Sequence, residues 1–263
     1  MTATPEHFFV VGAQRSGTTY LHRALEAHPE IEMASPARPE PKYFLARDHR
    51  EGDRADYERR FFDAACRARV RGEKSTSYLG SELAARRIHA AYPDARIVMV
   101  LREPVARALS NHRFSTEHGF ETLPAWEAFE REEERRDAYD ASAVSASPFA
   151  YLQRSRYIDS VQVYERIFGR ARLCILLYEQ LIASIAPLQR LYGFLGVDPT
   201  FAAPRRGEIV NATPEPTSWL TDEQRRLLQR RFRVPNEQLA SRYGLDLSCW
   251  ETSRDVARHA DAT

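Results

Sequence analysis

The stretch "FFVVGAQRSGTTYL" (Phe8 to Leu21) constrains the fold more than any other part of the chain. A short, continuous apolar run ending in glycine is the pattern of a strand buried on both faces of a parallel sheet. The following "TTYLHRALEAHP" sets Tyr20, Leu21, Ala24, Leu25 and Ala27 at helical spacing and stops at Pro29. Strand, glycine turn and helix in that order point backbone N–H groups and the positive end of a helix at one place, which suits a phosphate. The loop itself reads "GAQRSGTT" from Gly12 to Thr19. An ATP-binding loop, G-x-x-x-x-G-K-[ST], would have lysine where Thr18 stands, so the lysine-plus-magnesium apparatus is incomplete. Arg15 lies inside the loop instead, and Ser16, Thr18 and Thr19 supply hydroxyls. Such a loop specifies an anion without saying which one. A glycine turn that merely closes a strand–helix unit fits the same letters.

Further along, "ARIVMVLR" (Ala95 to Arg102) and "ARLCILLYEQL" (Ala171 to Leu181) read as two more buried strands, each adjoining a helical pattern. Strands alternating with helices predict an α/β fold with a mainly parallel sheet. Neither a repeat nor a linker is visible, so residues 1–263 are expected to form a single domain. The stretch 115–150 is charged and then small and polar, with little apolar periodicity after Phe129. It fits either a solvated helix and loop or a lid over the substrate. The C-terminal stretch from Ser218 to Trp250 predicts two amphipathic helices broken at Pro235, the first opened by a capping box of Thr221 and Gln224.

Composition narrows the function classes. A formal net charge of +1 gives no global field favouring nucleic acid or an anionic membrane. No apolar run approaches the roughly 18 residues of a membrane span. The start "MTATPEHFFVVGAQ" lacks a basic region followed by a long apolar stretch, so no signal peptide is expected and a cytoplasmic location is. Cys66, Cys174 and Cys249 are isolated and read as reduced thiols with no metal-binding spacing. Of 38 basic residues only Lys42 and Lys74 are lysines, which leaves 38 − 2 = 36 arginines. Arginine and alanine richness fits a high-GC bacterial source, and the skew makes each lysine informative.

"QRSGTTYL" resembles the 5′-phosphosulfate loop of the PAPS-dependent sulfotransferases. Their second signature is an arginine ending a central strand and a serine eight residues later, and "VLREPVARALS" supplies Arg102 and Ser110 at that spacing. "PEPKYF", "GEKSTSYL" and "PNEQLASRYGLDLSCW" are similar to the corresponding stretches of the heparan-sulfate-type branch, so the resemblance runs from about residue 8 to 250 and thins across 115–150. It implies a P-loop-like central parallel β-sheet flanked by α-helices, the donor PAPS, the product PAP and no metal. Both lysines fall inside stretches that match the family's active site.

The resemblance also implies roles. Glu40, flanked by Pro39 and Pro41, stands where the heparan-type enzymes have their catalytic glutamate, and Glu73 is the nearest rival. Lys74 would reach the sulfuryl group and the leaving oxygen, assisted by Lys42, and Arg15 would replace the loop lysine of cytosolic members. The histidine base of the cytosolic arylsulfotransferases has no counterpart, because "KST" occupies Lys74 to Thr76. Arg15, Ser16, Gly17, Thr18 and Thr19 would hold the 5′ end of the nucleotide, and Arg102 and Ser110 the 3′-phosphate. Arg102 also fits an ordinary strand-end ion pair with Glu103. Tyr157 resembles a nucleotide-side tyrosine, and Arg206 with Gly207 resembles a closing basic loop, in which Arg205 also lies. His22, His28, His89 and His112 read as structural or surface residues.

The expected activity is therefore transfer of a sulfuryl group from PAPS to a hydroxyl, with Glu40 as general base. Near-neutral charge and "EREEERRD" within 115–150 favour a small-molecule acceptor (a secondary metabolite, glycoside or glycolipid) over an anionic polysaccharide. A polysaccharide O-sulfotransferase and a catalytically silent nucleotide-binding module are the alternatives, and a P-loop kinase is disfavoured by Thr18.

Overall fold

The computed structural model describes residues 5–47, 54–140, 145–202 and 220–253. The chain packs as two compact units, Met1–Leu101 with Ser160–Thr213 and Arg102–Asp159 with Pro214–Thr263.

The first unit is built on strands β1 (Glu6–Gly12), β2 (Ile31–Met33), β3 (Val70–Lys74), β4 (Arg96–Leu101) and β5 (Leu173–Leu177). They form one sheet in the order β2-β3-β1-β4-β5, with every pairing parallel. Alternation along β1 divides the core. Phe8 and Val10 face the aliphatic side with Leu21 and Leu25 of helix α1 (Thr18–Glu26) and Leu188, Leu191 and Leu195 of helix α9 (Ala186–Leu195). Phe9 points the other way, into rings of Phe44, Tyr57 and Tyr92 at centroid distances of 5.6, 6.3 and 5.7 Å. Helices α2 (Arg54–Phe61) and α3 (Glu82–Ala91) cover that side with Tyr57 and Ile88. Burial on both faces is why β1 and β4 carry continuous apolar runs. The third predicted strand is shorter than its apolar run, because helix α8 (Tyr178–Ala183) begins directly after Leu177.

The second unit contains α4 (Pro104–Glu117), α5 (Ala125–Glu130), α6 (Glu132–Arg135), the first residues of α7 (Tyr157–Phe168) and α10 (Asp222–Tyr243). Here the charged stretch is more packed than a solvated helix and loop. Glu121 is buried, accepts both guanidinium nitrogens of Arg135 at 2.9 and 3.0 Å, and accepts the Tyr151 hydroxyl at 2.8 Å. Burial raises the Glu121 pKa, but Arg135, the backbone N–H groups of Leu123 and Thr122, and Tyr151 outweigh it and hold the group below its ordinary value. Glu132 is also buried and accepts the N–H groups of Leu152 and Gln153 at 2.6 and 2.8 Å. These carboxylates do the work of backbone partners, which a reading by apolar periodicity cannot see.

The predicted break at Pro235 does not occur. Asp222–Tyr243 is a single helix with Pro235 inside it, opened by the expected Thr221–Gln224 capping box. An interior proline costs roughly 3 kcal/mol. Burial of Leu228, Phe232, Pro235, Leu239 and Tyr243 offsets it, as do two hydrogen bonds from Asn236 Nδ2 to Thr252 Oγ1 and Ser253 Oγ at 2.9 and 3.1 Å.

Candidate active site

In the first unit the site begins where β1 ends. A side chain at Gly12 would put its Cβ 2.8 Å from Leu79 Cβ, and one at Gly17 would sit 2.4 Å from Tyr178 Cδ2. Both glycines are therefore required by close approach as well as by the turn. Gly17 is the N-cap of α1 in the left-handed region (φ 78°) and gives that helix no side-chain cap. The first-turn N–H groups are thus left for an anion. Arg15 also adopts a left-handed conformation (φ 68°), a cost for a non-glycine residue that tends to collect at functional sites. Ser16 is fully buried, yet its Oγ has no hydrogen-bond partner among the described residues. A buried hydroxyl just before an uncapped helix start fits a phosphate oxygen as its missing partner.

The end of β3 lies alongside. Register pairs Val10 with Lys74, and Gln14 Nε2 donates to Ser77 Oγ at 3.1 Å, tying the loop to the segment after β3. Lys74 Nζ donates to Glu40 Oε1 at 2.6 Å, with the two side chains 8% and 16% exposed. Thr76 holds the same carboxylate: its N–H donates to Oε2 at 2.9 Å, and its hydroxyl lies 3.1 and 3.0 Å from the two oxygens. The loop carrying Glu40 is anchored on both sides, by Ala34 N–H to Gly72 O at 2.7 Å and by Lys42 N–H to Ser75 Oγ at 2.9 Å. Lys42 takes a left-handed backbone (φ 49°), and its side chain is half-buried. Glu40 and Lys42 thus meet Lys74, more than thirty residues away, around one strand end.

Glu73 is kept apart from this cluster. As the neighbour of Lys74 on a strand it faces the other side of the sheet. It is fully buried there and accepts the Tyr57 hydroxyl at 2.7 Å. Burial first of all pushes its pKa up. These contacts fit a core carboxyl better than a base open to substrate.

In the second unit, Arg102 comes first and is half-buried. The Tyr157 hydroxyl donates to the Arg102 carbonyl at 2.8 Å, and the Tyr157 ring lies 5.9 Å from Trp250. Tyr157 therefore fixes the backbone of Arg102 from inside the core. Glu103 has a task of its own, accepting the Ala106 N–H at 2.6 Å as the cap of α4. Ser110 is buried on α4. Arg205, Arg206 and Gly207 lie outside the described residues.

Two residues, Thr76 and Tyr178, were missed by the sequence reading. Thr76 carries no motif signal beyond following Lys74 and Ser75, and its hold on Glu40 is visible only in three dimensions. Tyr178 closes over Gly17 from a distant helix. His22 is 6% exposed and carries two ring nitrogens without a hydrogen-bond partner among the described residues. His28, His112 and His89 have structural surroundings. His28 Nε2 lies 3.1 Å from Asp198 O, His112 Nε2 lies 2.8 Å from Leu123 O, and His89 packs edge-on against Phe168.

The model of the sulfotransferase domain family matches residues 5–214. The chain belongs to that family. A sulfotransferase of known crystal structure from Alicyclobacillus acidocaldarius is 30% identical, with a TM-score of 0.76 over 94% of this chain and 99% of that one. The human bifunctional heparan sulfate N-deacetylase/N-sulfotransferase 2 is 33% identical over 117 residues, 43% of this chain and 13% of that protein. The mouse heparan sulfate glucosamine 3-O-sulfotransferase 3B1 is 25% identical over 189 residues, 72% of this chain and 45% of that protein. The chain thus spans less than half the length of these heparan sulfate relatives. The family match agrees with the parallel sheet and with the resemblance found in the loop. Among the described residues no helix is long and apolar enough to cross a membrane.

Proposed function

We propose that the protein transfers a sulfuryl group from PAPS to the hydroxyl of a small-molecule acceptor, with Glu40 as general base. The observation that carries the reading is the Glu40 carboxylate clamped by Lys74 and Thr76 next to an uncapped phosphate loop. Bound PAPS would supply an activated sulfuryl group on a 5′-phosphate. The unpartnered Ser16 hydroxyl and the first-turn N–H groups of α1 fit that phosphate, with Arg15, Gly17, Thr18 and Thr19 around it. Arg102 and Ser110 are the proposed ligands of the 3′-phosphate, and Tyr157 holds Arg102 in place. Arg206 and Gly207 complete the proposed set.

Glu40 would take the proton of the acceptor hydroxyl at a carboxylate oxygen while Thr76 keeps the carboxylate oriented. Lys74 would turn from Glu40 toward the departing 5′-phosphate oxygen, and Lys42 would add positive charge beside it. Positioned cations and N–H groups of this kind supply most of the catalysis when charge spreads over transferring oxygens. Near-neutral net charge favours a secondary metabolite, glycoside or glycolipid over a polyanion. The similarity to a heparan sulfate 3-O-sulfotransferase over 72% of the chain supports a carbohydrate hydroxyl as the second reading.

The test is release of PAP from PAPS across a panel of hydroxyl compounds that includes phenols, glycosides and a heparan oligosaccharide. Glu40→Gln should keep PAP binding and lose turnover by about 10²–10⁴-fold, the usual contribution of general base catalysis. Turnover of the Gln variant within threefold of wild type would reject Glu40 as the base.

A further inference from the structure

The opposite end of the sheet in the first unit carries a second concentration of charge. All strands are parallel, so Glu6, Val70 and Arg96, the first residues of β1, β3 and β4, share one end, while Gly12 and Lys74 lie at the other. Val70 and Lys74 are four residues apart along an extended strand, about 13 Å. These first residues, the segment before β3 and the end of α9 line a cavity of about 790 Å³, within the usual size range of small-molecule sites. The guanidinium groups of Arg67, Arg69, Arg71 and Arg96 line it, against one carboxylate, Glu6. Two of the four have structural tasks. Arg71 donates to Glu32 Oε2, Glu58 Oε2 and Asp63 O, each at 2.8 Å. Arg96 pairs with Glu6 and donates to Leu195 O at 3.4 Å, closing the end of α9. The other two are uncommitted. Arg67 is exposed and makes no hydrogen bond or ion pair among the described residues. Arg69, also exposed, stays 3.8 Å from Glu30, too far for a hydrogen bond. Two like charges two residues apart thus face one cavity with no carboxylate in hydrogen-bond reach among the described residues.

We propose that this cavity is a second ligand site, separate from the transfer site, which takes the phosphate monoester of a small organic molecule. A phosphate dianion spreads its charge over three oxygens and matches the planar forks of two guanidinium groups, Arg67 and Arg69. Arg71 and Arg96, held by their own carboxylates, form a fixed wall behind them. Pro5, Ala64 and Ala68 keep accessible apolar surface on the same lining, which gives the carbon body of the ester a place to pack. The site takes no part in sulfuryl transfer and does not depend on the reading of Glu40.

The test is calorimetric titration with phenyl phosphate at pH 8, where the ester is a dianion, in the presence of excess PAP to occupy the loop after β1. The wild type should bind it, and inorganic phosphate should bind at least about threefold more weakly because it lacks the ring. Arg67→Gln combined with Arg69→Gln should weaken phenyl phosphate at least about tenfold, since each charge-assisted bond lost is worth about that factor. Both arginines are exposed, so thermal melts of this variant should match the wild type, and its affinity for PAP should not change. Ala64→Trp, also at an exposed position, crowds the carbon body while keeping both guanidinium groups, and should weaken phenyl phosphate more than inorganic phosphate. Absence of binding to the wild type, or affinity unchanged in the double arginine variant, overturns the site. Equal affinity for phenyl and inorganic phosphate overturns the assignment of an organic ester. Failure of PAP to bind would count against the transfer-site reading alone, because the arginine variant still reports on the cavity.

Discussion

Replacing Gly17 by alanine separates two physical costs at the phosphate loop. The new Cβ would lie 2.4 Å from Tyr178 Cδ2 and 2.7 Å from Cε2, on a backbone with φ +78°. Gly244 is also left-handed (φ 62°, ψ 38°) but has nothing within 4 Å of an added Cβ, so Gly244→Ala bears the conformational cost alone. That cost is about 1–2 kcal/mol for a left-handed L-residue. Overpacking against a ring adds about 1–3 kcal/mol. Gly17→Ala should therefore destabilise by about 2–5 kcal/mol against about 1–2 kcal/mol for Gly244→Ala. Urea unfolding gives both values, and calorimetric titration with PAP reports whether the loop keeps its shape. Affinity should fall at least about tenfold in Gly17→Ala, equivalent to about 1.4 kcal/mol, and stay at wild-type level in Gly244→Ala. Tyr178→Ala in the Gly17→Ala background should recover the clash portion, so that the double variant loses less than the sum of the two single losses. If Gly17→Ala costs no more stability than Gly244→Ala and binds PAP normally, the close approach of Tyr178 does not shape the loop.

Two further predictions concern the scaffold. Burial would raise the Glu58 pKa, but its bond and charge interaction with His7, with help from Tyr92 and Arg71, bring it down to about 2. A depressed carboxylate gives stability that is present above its unfolded value of 4.5 and lost as pH falls through about 2. Glu58→Gln should therefore melt lower than wild type at pH 7, with the gap closing between pH 4.5 and 2; a constant gap in thermal melts would refute the assignment. Asn236→Ala removes both bonds that tie the helix at Pro235 to Thr252 and Ser253, and should cost about 1–3 kcal/mol in urea unfolding. A loss below about 0.5 kcal/mol would mean that packing alone keeps that helix continuous.

What could be read from the sequence follows from which residues carry periodic or chemical signals. Phe8–Val11 and Ile97–Leu101 are buried on both sides, and their unbroken apolar runs announced β1 and β4. β3 spells "VRGEK" and gave no such run: its Glu73 is matched by Tyr57, its Arg71 by Glu32 and Glu58, and its Lys74 by Glu40. Three-residue β2 is too short for any period. Pro235 is a strong local breaker, yet tertiary contacts overrode it. Lysine scarcity singled out Lys42 and Lys74, the family resemblance pointed to Glu40, and the three lie together at the end of β3. Thr76 and Tyr178 were illegible because their significance lies in what they touch across the fold.

The central claim is that the loop after β1 and the arginine after β4 serve a 3′-phosphorylated adenosine nucleotide. Calorimetric titration with PAP, with ATP and magnesium as the comparison, addresses it most directly. Tight PAP binding that is indifferent to magnesium and collapses in Arg102→Ala is the expected result. Preference for ATP with magnesium, or no binding of either nucleotide, would contradict it.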